Sequence, residues 1–217
     1  MLRESKGNMY PFVTHTWNPI KGRCAHDCQY CYMKRFPQKE LRLDEKDLRT
    51  DLGSGRFIFV GSSTDMWAKD VPEEWIEKIL AICSKYDNTY LFQSKNPFRF
   101  LQFHLWMRHV LATTIETNRD YPCMGKAPKA SDRAKGIWLL WAHRRMITIE
   151  PILDFDLPEF VELIRPASPE WVNIGADSQG HHLPEPSAEK VKALIEELRK
   201  FTRVEIKSNL KRITGGS

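Results

Sequence analysis

An α/β fold built on a parallel sheet is what this sequence predicts, and two observations carry the prediction. Seven short β-like apolar runs recur along the 217 residues, and stretches of helical period lie between most of them. Parallel strands need a crossover of about a dozen residues or more, usually helical, so this alternation reads as repeated βαβ units. Such a pattern fits either an open doubly wound sheet or a partial barrel. No Pro/Gly/Ser-rich linker divides the chain, so residues 11–210 are expected to form a single domain. Residues 1–10 are expected as an extension, and 211–217, ending "TGGS", as a disordered or appended tail.

The strand candidates are "PFVTHTW" (11–17), "RFIFVG" (56–61), "TYLFQ" (89–93), "HVLATTIE" (109–116), "MITIEPI" (146–152), "WVNIGA" (171–176) and "RVEIK" (203–207). The clearest helix lies in "DVPEEWIEKILAICSKY": Asp70 can cap it, and Trp75, Ile76, Ile79, Leu80 and Cys83 recur at helical spacing. In "SAEKVKALIEELRKF", Ser187 can cap and Val191, Leu194, Ile195 and Leu198 form one stripe. Segments 97–106, 131–144 and 157–165 also read as helical. Of the tryptophans, Trp17, Trp67, Trp138 and Trp141 are expected mostly in the core or a pocket wall.

Hydrophobic residues make up 41% of the chain and charged ones 28%, the balance of a water-soluble globular protein. No apolar run approaches the roughly 20 residues that span a bilayer, and the first residues lack the apolar core of a signal peptide, so a cytoplasmic location is expected. The net charge of +5 permits a phosphate-bearing partner without demanding one.

Five cysteines, three of them crowded into "GRCAHDCQYCYM", do not make a disulfide framework. Cys24, Cys28 and Cys31 are instead placed to converge on a metal centre. A structural zinc would want a fourth ligand, for which His26 or His15 could serve. A redox pair of Cys28 and Cys31 would leave Cys24 unexplained. A [4Fe–4S] cluster held by three thiolates would leave one iron without a protein ligand. Cys83 falls on an apolar helix stripe and reads as core, and Cys123 as an incidental loop thiol.

Sites in α/β sheets and barrels gather at the carboxyl ends of strands, and here those ends are polar. Alternation puts Thr114 with Glu116, Thr148 with Glu150, Asn173 with Gly175 and Asp177, and Gln93 with Lys95, each set on one face. Buried carboxylates need partners, which a cationic or hydroxyl-rich ligand would give to Glu116 and Glu150. After the second run, Gly61, Ser62, Ser63, Thr64 and Asp65 would let a ligand approach backbone amides closely, although this is neither a P-loop nor a dinucleotide fingerprint.

Cys24, Cys28 and Cys31, with Tyr30 immediately before the third cysteine, resemble the signature of the radical S-adenosylmethionine (SAM) superfamily. "WNPIKGRCAHDCQYCYM", "FQSKNP", "ITIEPIL" and "WVNIGADS" are similar to a compact phage-associated group, and "CAHDCQYCY" and "SKN" more distantly to spore photoproduct lyase. The resemblance implies a partial (β/α)6 TIM-like barrel and an enzyme that binds a [4Fe–4S] cluster through Cys24, Cys28 and Cys31, with S-adenosyl-L-methionine on the fourth iron. Reductive cleavage of SAM would then give a 5′-deoxyadenosyl radical that takes hydrogen from a substrate. It further implies an external one-electron donor of flavodoxin or ferredoxin type, and leaves a nucleotide or nucleic acid among the substrates.

By the same resemblance Gly61, Ser62, Thr64 and Asp65 would meet the SAM amino group, though the family's Gly-Gly-Glu-Pro-like segment is absent here. Thr114 and Glu116 would meet its ribose or carboxylate, and Asn173 the ribose, adenine or substrate. Tyr30 belongs to the cluster motif; the candidate catalytic residues are Lys95, which would neutralise the SAM carboxylate or a substrate phosphate, and Glu150, which would face the SAM ribose, adenine or substrate. The other reading is a non-enzymatic zinc-binding module that contacts nucleic acid, possessing the cysteines and the basic charge but leaving the polar strand ends unexplained. The basic stretch "MGKAPKASDRAKG" (124–136) reads as a solvated loop and helix face, with phosphate contact as the other reading.

Overall fold

A computed structural model describes residues 1–215; Gly216 and Ser217, part of the expected tail, lie outside the described residues. The strands are β1 (Arg3–Glu4), β2 (His15–Trp17), β3 (Ile20–Lys21), β4 (Arg42–Leu43), β5 (Phe57–Val60), β6 (Thr89–Gln93), β7 (Arg108–Thr114), β8 (Arg145–Ile149), β9 (Trp171–Ile174) and β10 (Arg203–Ile206). The α-helices are α1 (Glu45–Leu48), α2 (Glu73–Cys83), α3 (Ala130–Trp138), α4 (Leu157–Ile164), α5 (Ala188–Arg199) and α6 (Lys211–Thr214).

Eight strands form one sheet in the order β1-β2-β5-β6-β7-β8-β9-β10, with β3 and β4 pairing separately. Within the eight-stranded sheet only β1 runs antiparallel to its neighbour and every other pair is parallel, while β3 and β4 pair antiparallel. The parallel strands stand in chain order, with no reversal. Right-handed crossovers that all step the same way put every helix on one side, whereas a doubly wound sheet must reverse its order at a switch point. The sequence left those two architectures open, and the strand order decides for the partial barrel.

Alternation along each strand divides the apolar residues between two cores. Ile58, Val60, Tyr90, Phe92, Leu111, Ile147, Val172 and Ile174 face the helices and pack with the stripes of α2 and α5. Phe59, Leu91, Val110, Ala112, Met146 and Trp171 face the concave side. Among the described residues no helix packs into that cluster. Tyr10, Phe12 and Val13 fill its floor, with Phe12 stacked on Tyr10 at 5.5 Å and edge-on to Trp171 at 5.3 Å.

Several expectations need correcting. The first run is a strand only over His15–Trp17, because the residues before it turn into the concave floor. Asp70 does not cap α2; Pro72 holds the N-cap position, and Glu73 and Glu74 complement the positive end of the helix. Ser187 does cap α5, accepting from the Lys190 N–H. Residues 97–102 form a tight 3-10 helix opened by Pro97 rather than an α-helix over 97–106, and α3 stops at Trp138. Lys211–Thr214, expected as a disordered tail, is helical, with Ile213 packed on the helix-side core and Arg212 held by Glu185. Trp17 and Trp67 are core, but Trp138 and Trp141 are exposed. Among the described residues no helix is long and apolar enough to cross a membrane.

Candidate active site

Above the aromatic floor the concave face turns polar. Register sets Thr114, Thr148 and Asn173 side by side on β7, β8 and β9. Gln93 joins the band from β6, donating to Thr114 Oγ1 at 3.2 Å while accepting from the Tyr10 hydroxyl at 2.9 Å. Beside that phenol the Thr148 hydroxyl is buried without a hydrogen-bond partner. Unpaired buried polar groups are uncommon and mark places where a ligand or water completes the site.

Glu116, two residues past the end of β7, is the electrostatic centre. Its side chain is wholly buried and accepts from Lys95, from the Tyr30 hydroxyl, and from Arg133 Nη1 at 2.6 Å. Burial alone would raise the Glu116 pKa, but Arg133 and Lys95 outweigh it and hold the carboxyl well below the usual range. Lys95 Nζ also donates to the Tyr30 hydroxyl at 3.0 Å. The cysteine loop is thus tied through Tyr30 to the ends of β6 and β7. Burial, and then the neighbouring Glu116, push the Tyr30 phenol well above its ordinary value, so it remains a donor.

Cys24, Cys28 and Cys31 are free thiols on this loop, with Cys31 at the start of a 3-10 turn over Tyr32–Arg35. Burial pushes the Cys24 thiol up to about 12, the Asp65 charge adding to the effect, and burial raises Cys28 as well. A metal would have to supply the positive charge that makes them thiolates. No trio of His, Cys, Asp or Glu side chains among the described residues meets at a single metal ion. In a [4Fe–4S] cluster each thiolate holds a different iron, so three separate thiols on one loop fit that group. The polar band with its unpaired Thr148 fits a polar cofactor beside it.

Two neighbours hold the loop in shape. His26 Nε2 lies 2.7 Å from Asp65 Oδ2, and Asp65 also accepts from the Ser94 hydroxyl and the Lys95 and Trp67 backbone N–H groups. Segment 121–126 lies against the other side: the Cys123 carbonyl accepts from the Gln29 N–H at 2.9 Å, and the His26 carbonyl from the Lys126 N–H at 2.6 Å. Gly125 permits this approach, since a Cβ there would stand 2.4 Å from the His26 oxygen at a φ of +69°. Cys123 is buried against Tyr30 and Leu153, beside the cysteine loop.

At the far side of the mouth, Glu150 accepts from Lys207 Nζ at 2.7 Å, from Asn209 Nδ2 at 2.9 Å and from Asn8 Nδ2 at 2.8 Å. Gly175 leaves room for it, because a Cβ there would meet Glu150 Oε1 at 2.7 Å.

The structure gathers the sequence-predicted residues at one end of the sheet but gives most of them protein partners. Glu116 and Glu150, expected to need a ligand, are satisfied by Arg133, Lys95 and Lys207. Gly61 donates its N–H to the Trp17 carbonyl, Ser62 and Ser63 bind Asn18, and Thr64 donates to the Gly22 carbonyl. Asn173 Nδ2 donates to the Met146 sulfur at 3.0 Å. Arg133 and Lys207 were missed. Arg133 shares a helix stripe with Ala130, Ala134 and Ile137, a core position that the reading of 124–136 as a solvated face overlooked. Lys207 continues the alternation of Arg203 and Glu205, whereas nothing local in the sequence signals Asn8 or Tyr10.

No family model and no curated protein sequence matches this chain. Solved structures do. A spore photoproduct lyase variant with bound AdoMet and dinucleoside spore photoproduct superposes with a TM-score of 0.61 at 10% identity, over 90% of this chain and 64% of that one. Methylornithine synthase (PylB) gives 0.53 at 11% identity, over 87% and 63%. Streptococcus suis SuiB bound to S-adenosylmethionine gives 0.52 at 9% identity, over 88% and 49%. The chain spans less than two-thirds of the length of each of these structures. All are radical SAM enzymes, and this chain has their partial-barrel fold.

Proposed function

We propose that the protein is a radical SAM enzyme acting at a substrate C–H bond, with Cys24, Cys28 and Cys31 holding a [4Fe–4S] cluster. The observation that carries this reading is the three free thiols on a loop tied by Tyr30 to a polar concave face, in a fold shared with SAM-bound structures. When bound, the cluster and SAM supply reductive cleavage of the sulfonium, using an electron from an external flavodoxin- or ferredoxin-type donor.

The chain's own residues position and exclude. Tyr30, Lys95 and Glu116 fix the loop against the sheet, so Lys95 and Glu116 act as positioning residues rather than as free charges. Asp65 fixes it through His26. Thr114, Thr148 and Asn173 offer short polar side chains to a ribose or adenine. Tyr10, Phe12 and Trp171 close the floor against water, which protects a reactive intermediate from side reactions. Glu150, although already accepting from Lys207, Asn209 and Asn8, is partly exposed and is the carboxylate we assign to accept a further hydrogen bond from a substrate. The spore photoproduct lyase structures hold a dinucleoside photoproduct, which makes nucleotides the first substrate class to test.

Anaerobic reconstitution with iron and sulfide tests this reading. The expected result is a brown protein with roughly four irons per chain, lost in Cys24→Ala, Cys28→Ala and Cys31→Ala, that forms 5′-deoxyadenosine from SAM under strong reductant. A colourless protein holding one tight zinc would overturn it in favour of the zinc-module reading.

A further inference from the structure

Three tryptophans stand where a core residue should not. Trp106 and Trp141 are each 76% exposed and Trp138 is 48% exposed, with Leu101 and Leu139 beside them. Clustered apolar exposure of this kind marks an interaction surface. The three come from two neighbouring segments, the approach to β7 and the end of α3. His104 joins them, its ring 3.9 Å from that of Trp106.

The surface continues along α3 towards the site. Lys135 lies one helical turn before Trp138. The nine residues of α3 cover roughly 12 Å. At the other end Lys126 is bonded to the cysteine loop through its backbone. There a cleft of about 180 Å³ opens between Ala25 and His26 on one side and Lys69, Asn96, Lys126 and Pro128 on the other. Lys69, Lys126, Lys135 and Arg145 have no carboxylate partner among the described residues, while nearby Lys129 pairs with Asp120 and Arg144 with Glu170. Asp132 is the one acid on α3.

We infer that this strip binds a single-stranded nucleic acid, with bases stacked on the tryptophans and phosphates led along the lysines to the rim of the cysteine loop. The charge argues for this occupant. A second copy of the chain, docked by the same face, would bring Lys135 and Arg145 against their own counterparts, with Asp132 on α3 and Glu170, already held by Arg144, as the nearby acids. A polyanion is attracted by the same cations, and its bases supply planar partners for exposed indoles. As a way of presenting substrate the inference rests on the function proposed above; as a binding surface it does not.

The test is fluorescence anisotropy of the full chain, with and without the reconstituted cluster, against labelled single-stranded DNA and RNA of about 15 nucleotides. Trp138→Ala and Trp141→Ala are each expected to weaken binding roughly tenfold. Both residues are exposed, so the fold should survive, as circular dichroism would verify. Lys126→Gln and Lys135→Gln should each reduce the slope of log affinity against log salt by about one. Four results would overturn the inference: no binding, binding indifferent to the tryptophans, binding displaced equally by polyglutamate, or self-association that the tryptophan substitutions abolish. Binding without 5′-deoxyadenosine formation would instead count against the proposed chemistry and leave this surface standing.

Discussion

Replacing Glu116 with glutamine keeps the shape of the side chain and removes its charge. Two cations then lose their counter-charge, but not equally. The Lys95 side chain is 15% exposed and can swing towards water, whereas Arg133 is wholly enclosed. Arg133 Nη2 and Nε already lack hydrogen-bond partners, so the guanidinium depends on Glu116 and the Thr114 carbonyl. Breaking a buried pair from one side typically costs about 3–5 kcal/mol, out of the roughly 5–15 kcal/mol that holds a domain folded. At about 2–4 °C per kcal/mol for a chain of this size, the melting temperature of Glu116→Gln should drop by roughly 10 °C.

Urea unfolding of Glu116→Gln, Arg133→Met and the double variant closes the cycle. The double variant should be less destabilised than the sum of the singles, by about 0.5–3 kcal/mol. The pH dependence has a definite sign. A carboxyl whose folded pKa is depressed contributes stability above its unfolded value, about 4.3, and loses it as pH falls through the folded value. The gap between wild type and Glu116→Gln should therefore narrow as the solution is acidified below about pH 4. A Glu116→Gln protein within about 1 kcal/mol of wild type at neutral pH would refute the reasoning, as would a double variant no better than the sum of the singles.

Three further outcomes are expected. Gly125→Ala should cost about 1–3 kcal/mol and lower iron retention after reconstitution, although it touches no thiol, because its Cβ would press on the His26 and Asp27 carbonyls at 2.4 and 2.6 Å; unchanged iron content and melting temperature would count against that buttress. His26→Ala should lower stability by about 1–3 kcal/mol through the stranded Asp65 yet keep its iron, whereas loss of all bound metal would point to His26 as a ligand. Gly175→Ala should destabilise by pressing on the Glu150 carboxylate, and most of that penalty should vanish in a Glu150→Ala background; equal penalties in both backgrounds would mean that the Cβ is accommodated elsewhere.

Period-two alternation made much of the site legible. Parallel strands with helices on one side and a polar concave face on the other keep inward and outward residues distinct. Thr114 with Glu116, Thr148 with Glu150 and Gln93 with Lys95 could therefore be read as sharing a face. Partners could not be read, because each comes from a different crossover. Arg133 approaches Glu116 from α3, and Lys207 approaches Glu150 from the end of β10. Periodicity alone left a barrel and a doubly wound sheet both open, since strand order is set by long-range pairing and leaves no local mark; the resemblance carried by Cys24, Cys28 and Cys31 pointed to the partial barrel, which the strand order bears out. Trp138 and Trp141 were misplaced for the converse reason. A rule that buries large apolar residues is blind to those kept outside for a partner.

The floor of the concave face also constrains how the chain can be made. Tyr10 and Phe12 leave the ribosome before Trp171, the ring against which Phe12 packs, which follows about 160 residues later, some 8–32 seconds at 5–20 residues per second. During that interval Phe59, Leu91 and Val110 emerge in turn with only part of their cluster, Tyr10, Phe12 and Val13, to cover them. The barrel can be completed only once its first aromatic residues meet one of its last strands, so a ribosome pause before β9 would prolong the exposure of a sticky, half-built sheet to chaperones and to other nascent chains.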